Sequence, residues 1–140
     1  MPDRHFLDTN IFVYTFDRAS AEKRGRAQEL VREALARKTG VISHQVIAEF
    51  LNLATRRFQA PLSPADCRLY LDQVLLPLWE IHPTRELYRK ALSVQEDAGY
   101  SFYDSLMVSA AILAGCKVLY SEDLQDGRTI DGVSIRDPFK

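Results

Sequence analysis

No stretch of the 140-residue sequence approaches the ~20 consecutive apolar residues of a membrane-spanning helix, so the expectation is a protein that does not engage a membrane. The opening Met-Pro-Asp-Arg-His lacks the basic start and long apolar run of a signal peptide. Cysteine is scarce. Cys67 and Cys116 have no neighbouring Cys or His at metal-site spacing, and both read as reduced core thiols in a cytoplasmic protein. His5, His44 and His82 are scattered. There is no glycine-rich phosphate loop, and no Ser or Cys has an evident base beside it. Repeats, low-complexity tracts and linkers are missing too, so residues 1–140 are expected to form one domain. Excess charge is also missing: the net value is only −1.

What is there is an uneven distribution of that charge. From Arg18 to Lys38 seven bases face three acids, and from Glu96 to Asp137 eight acids face three bases. Such runs are usually solvated helix faces, but a basic amino-terminal helix beside an acidic half can also hold a polyanion and a cation together.

Strand and helix patterns alternate along the chain. Residues 4–8 read as a buried first strand, followed by a short helix over 10–16. Ser20 caps a longer helix whose Ala27, Leu30, Val31, Ala34 and Leu35 share a face, with Gly40 closing it. Strand 41–43 precedes a helix over 44–57, and Ser63-Pro64 starts another that is expected to stop before Pro77. Residues 78–81, 117–120 and 133–135 read as strands, with helices over 84–98 and from Asp104 onward. Ala110, Ala111, Ala114 and Gly115 make this last helix thin enough to lie against a sheet. The expected class is α/β, with a mainly parallel central sheet flanked by helices.

In such a sheet every strand-to-helix junction lies on one edge, where ligands gather. Asp8 follows the first strand, Glu49 lies in the first turns after the second, Asp104 opens the thin helix, and Asp123 follows strand 117–120 with Asp126 beyond it. Several carboxylates in one cleft raise each other's pKa. A hard divalent ion relieves this, and Mg²⁺ or Mn²⁺ prefers oxygen ligands. One or two such ions can activate water against a phosphodiester, which explains why no catalytic histidine is needed. Singly, Asp8 and Asp104 also suit helix caps and Asp123 an ordinary turn.

Four motifs give these acids a family resemblance. Phe6-Leu7-Asp8-Thr9-Asn10, Glu49 within Gln45-Val46-Ile47-Ala48-Glu49-Phe50, Tyr103-Asp104-Ser105-Leu106, and Leu119-Tyr120-Ser121-Glu122-Asp123 together resemble the PIN-domain ribonucleases. Among these they are most similar to the VapC-type toxins of bacterial and archaeal toxin–antitoxin pairs. The resemblance implies a PIN-like, Rossmann-like domain and an Mg²⁺- or Mn²⁺-dependent endoribonuclease acting on structured RNA such as tRNA or rRNA. It implies that Asp8 and Asp104 ligate metal directly, while Glu49 and Asp123 hold it through water or ligate a second ion. Asn10 and Ser121 would orient the carboxylates, Asn10 as the support of Asp8, with Thr9 structural. Ser121 departs mildly from the threonine often found there, and Asp126 is an additional supporting acid. It also implies a homodimer and an antitoxin whose tail covers the acidic site.

Lys23, Arg24, Arg26, Arg56 and Arg57 are candidate contacts for RNA phosphates, and Tyr100, Phe102 and Tyr103 for bases or for packing under the Asp104 loop. The alternatives are a non-catalytic PIN-like module that binds RNA or protein, and a metal-dependent DNA nuclease or phosphatase. A haloacid-dehalogenase phosphatase would require Asp-x-Asp after the first strand, where Asn10 stands in the second acidic position.

Overall fold

A computed structural model describes residues 3–58 and 60–140. β1 (His5–Leu7) is short because three apolar-flanked residues suffice to cross the sheet before Asp8 begins α1 (Thr9–Tyr14). α2 (Ala21–Arg37) leads to β2 (Gly40–Ser43) and α3 (His44–Arg56). α4 (Pro64–Tyr70), a π-helical turn (Leu71–Leu75) and α5 (Leu76–Leu78) run on continuously into β3 (Trp79–Ile81). α6 (Arg85–Ala98), α7 (Phe102–Leu113), β4 (Val118–Tyr120), β5 (Thr129–Ile130) and β6 (Val133–Arg136) complete the chain.

The sheet order is β3-β2-β1-β4-β6-β5, parallel throughout except for β5 against β6. The first strand is therefore central, and the order turns back on itself between β1 and β4. That is where an open α/β sheet forms a crevice at its carboxyl edge. Phe6, Leu7, Val41, Ile42, Leu119 and Ile135 are fully or almost fully buried, so both faces of the central strands are covered. α7 is buried on nearly every side from Ser105 to Ala111. Its small residues let it lie close, as expected, although Gly115 stands exposed in the turn beyond it.

The sequence reading needs four corrections here. Of the two thiols expected in the core, Cys116 is buried but Cys67 only half-buried. Lys38, not Gly40, ends α2 by adopting the left-handed conformation at φ 56°. Gly40 instead starts β2, at a place where a Cβ would lie 2.4 Å from the Ala34 Cβ and 3.3 Å from Leu78 Cδ2. The α4 helix does not stop before Pro77. The π turn shifts its bonding so that Leu76 N–H reaches Leu71 C=O, and the chain passes the residue that has no N–H to give. Finally, β5 is an additional strand. Its hairpin turn is Asp131-Gly132, both at positive φ (46° and 85°), the pairing that a tight two-residue hairpin favours.

The two residues at this corner give opposite expectations. Lys38→Gly relieves left-handed strain at an exposed site and is expected to stabilise the fold by about 0.5–1 kcal/mol. Gly40→Ala forces α2 away from β2 and is expected to cost about 1–3 kcal/mol. Urea unfolding of the two variants, read as midpoint shifts of opposite sign, checks both.

Candidate active site

Asp8 leaves β1 in an extended conformation and is the N-cap of α1, so one residue serves as both helix cap and site carboxylate. Its Oδ1 accepts from Thr9 N–H at 2.6 Å, and its Oδ2 accepts from the Ser121 hydroxyl at 2.7 Å. The second bond follows from strand register. Leu7 pairs with Tyr120, and Asp8 N–H donates to Tyr120 C=O at 3.1 Å, which sets Ser121 beside Asp8. Ser121 Oγ also lies 3.3 Å and 3.4 Å from the amides of Asp123 and Leu124. With its lone pairs turned to those donors, its proton points at the ionised carboxylate, which can only accept.

The rest of the triplet works on other acids. Thr9 Oγ1 donates to Glu49 Oε2 at 3.2 Å, and Asn10 Nδ2 donates to Asp123 Oδ2 at 2.8 Å. Asn10 therefore supports Asp123 rather than Asp8, whose support is Ser121, and Thr9 holds an acid instead of being merely structural. Asp104 sits in the first turn of α7, where Ser101 accepts from its N–H at 3.2 Å. Gln45 ties this turn to α3, its Nε2 donating to Tyr103 C=O at 3.3 Å. Gln45 was not among the expected residues. The available signal was a buried amide four positions before Glu49, on the same side of an apolar helix.

The acids feel one another. Asp8 is only 8% exposed, and burial pushes its carboxyl up to about 6; the Ser121 and Thr9 bonds oppose this, while Asp123 and Glu49 add to it. Asp123 is likewise raised, by partial burial first and then by Glu122, Asp104 and Asp137. Among the described residues no three acidic, His or Cys side chains close on a single point. The donor set still fits a hard cation. Mg²⁺ keeps several of its waters and is commonly held by only one or two carboxylates, and each Asp8 oxygen accepts one bond here and retains a further lone pair.

Other expected residues turn elsewhere. Asp126 Oδ1 accepts from Asp137 N–H at 2.9 Å and so pins the carboxy-terminal loop. Lys23 pairs with Glu122 at 2.8 Å, and Tyr14 also donates to that carboxylate. Burial opposes the ionisation of Glu122, but these two bonds hold it below the ordinary carboxylate range. Arg24 donates to Asp17 C=O and Arg26 to Pro138 C=O. These three bases thus tether α2 within the fold, whereas Arg56 and Arg57 lie exposed at the end of α3.

The raised Asp8 pKa makes metal-free stability depend on pH in a defined sense. The group binds its proton more tightly folded than unfolded, so its contribution is complete below the ordinary value of 3.8 and lost as pH rises through about 6. The loss amounts to about 3 kcal/mol. In urea titrations with EDTA, the stability of Asp8→Asn relative to wild type is expected to rise by about that amount between pH 4 and pH 7. Parallel pH profiles for the two proteins would refute the assignment.

Comparison with curated protein sequences yields no match. Solved structures do match. The chain superposes on a DNA-bound VapBC of Salmonella typhimurium with a TM-score of 0.68 at 18% identity, covering 98% of this chain and 99% of that one. A toxin–antitoxin complex of Klebsiella pneumoniae gives 0.65 at 18% identity, with 96% and 97% covered. A Mycobacterium tuberculosis VapC toxin described as cleaving the sarcin–ricin loop gives 0.59 at 22%, with 85% and 89% covered. At these identities the likeness is one of fold. The family model of the PIN domain matches residues 5–126, from the first residue of β1 past Asp123, and the chain belongs to the PIN domain family.

Proposed function

We propose that this protein is a metal-dependent endoribonuclease, the toxin of a toxin–antitoxin pair, acting on structured RNA such as tRNA or rRNA. The observation that carries the reading is Asp8: a buried carboxylate, held at both oxygens, among acids that Thr9 and Asn10 orient in turn. Asp8 and Asp104 would hold Mg²⁺ or Mn²⁺ directly, with Glu49 and Asp123 acting through water or on a second ion. The bound ion supplies a water of lowered pKa and positive charge beside the phosphodiester. Ser121 keeps Asp8 in one rotamer with its free lone pairs outward. Asn10 limits the swing of Asp123, the most exposed of the four acids. Arg56 and Arg57, exposed at the end of α3, would meet phosphates.

The partner reading rests on the surface beside α1. A cavity of about 360 Å³ is lined by Val13, Phe16, Phe58 and Leu62, with Asp17 and Arg18 at its polar side. An amphipathic antitoxin helix suits such a groove, and the Klebsiella neighbour is described as a toxin–antitoxin complex. Val46 is fully buried and belongs to the core, not to this surface. A homodimer is part of the same proposal, supported by Leu69 and Leu76, which are 54% and 39% exposed along one arm of the fold. Sedimentation of the isolated chain as a monomer at micromolar concentration would remove it.

Purified protein incubated with total RNA is expected to give discrete fragments with Mg²⁺ or Mn²⁺ and none with EDTA, and Asp8→Asn to abolish them. Ser121→Ala is expected to raise the metal concentration for half-maximal cleavage about 10- to 100-fold. Cleavage that persists in EDTA, or in Asp8→Asn, would overturn the assignment. RNA bound but left intact would point to a binding module.

A further inference from the structure

Tyr103 is the most exposed large apolar side chain among the described residues, with 69% of its surface in water. Leu69, Leu76, Trp79, Tyr88 and Leu92 are exposed too, but they lie on α4, α5, the start of β3 and α6. Of these, Tyr103 alone adjoins one of the four candidate acids, directly before Asp104, which acts on Asp123 electrostatically. The rest of α7 from Ser105 to Ala111 is buried, so an aromatic ring left in water at its first turn contributes little to folding.

The turn that carries the ring is nevertheless held in place. Its edge-to-face contact with half-buried Phe102 has centroids 5.7 Å apart at 73°. Its backbone carbonyl accepts from the buried Gln45, which stands one helical turn before Glu49. A solvated aromatic surface on an anchored turn beside carboxylates has one nucleic-acid use that charge does not oppose, because every unpaired base presents an uncharged π-face. A paired base offers no such face, being stacked within its helix.

We propose that Tyr103 is a stacking platform for a single unpaired nucleobase, and that it selects single-stranded or looped RNA for the adjacent acidic site. This rests on the ribonuclease reading for its substrate. Its test is binding by fluorescence anisotropy to an unstructured RNA dodecamer and to the same strand annealed to its complement. Ca²⁺ serves as the cation, and strand integrity is checked on a gel.

Tyr103→Ala is expected to weaken single-strand binding about tenfold or more, while Tyr103→Phe and Tyr103→Trp stay within about twofold of wild type. Duplex binding should change less than about twofold in all three. Equal single-strand affinity in Tyr103→Ala, an equal loss on both probes, or no single-strand binding by wild type would overturn the proposal. A change of sedimentation coefficient in Tyr103→Ala would overturn it in favour of a contact between copies. The two readings fail separately. RNA cleavage that needs Mg²⁺ with a Tyr103-independent affinity refutes the platform alone, and Tyr103-dependent binding without any cleavage refutes the nuclease alone.

Discussion

The bond between the Ser121 hydroxyl and the Asp8 carboxylate joins the two central strands at the point where the sheet order turns back. It is buried, its proton direction is fixed by the amides of Asp123 and Leu124, and it depends on the parallel register of Leu7 with Tyr120. A slip by one residue would turn Asp8 to the opposite face and leave a carboxylate in the apolar core. The same register that buries Phe6 and Leu119 therefore also places the acid. Fold specificity and site geometry share one cause.

Around that bond the polar side chains divide the acids among them. Asp8 is held by Ser121, Glu49 by Thr9 and Asp123 by Asn10. Only Asp104 depends chiefly on backbone placement, through the Ser101 cap and the Gln45 link. Burial first, and the neighbouring acids after it, raise the Asp8 and Asp123 pKa values, while the hydrogen bonds from Ser121 and Thr9 oppose the rise at Asp8. The hydrogen bonds fix the orientation of three of the four acids.

Much of this was legible in the sequence, and the parts that were not have definite reasons. Alternating apolar runs and caps at Ser20 and Ser63 marked the elements to within a few residues, because caps are local chemistry. The four acids were legible because a parallel sheet sends all its carboxyl ends to one edge. Which neighbour holds which acid was not, since Asn10 and Asp123 meet only through tertiary packing. The same limit applied to Gly40, whose need for a missing side chain comes from Ala34 across the α2–β2 corner. The Asp131-Gly132 hairpin is different. Its signal was local, but a two-residue strand is too short to show alternation. The bases of α2 looked like a polyanion surface because composition counts charges without their partners, and Glu122, Asp17 and Pro138 are those partners.

The close approach at Gly40 reaches further than that corner. Lys23, Ala27, Leu30 and Ala34 lie along one side of α2, with Lys23 and Ala34 about three turns apart. Ala34 is pressed against β2 at one end, and Lys23 grips Glu122, the neighbour of Asp123, at the other. The helix is a strut of fixed length between the back of the sheet and the acidic loop. One residue added or removed between those two points would rotate Lys23 by about 100° and break the grip. Substitutions on the outward side of α2 leave both ends in place. Its length is therefore far more constrained than its composition, and drift in this segment can proceed by exchange of residues but not by insertion.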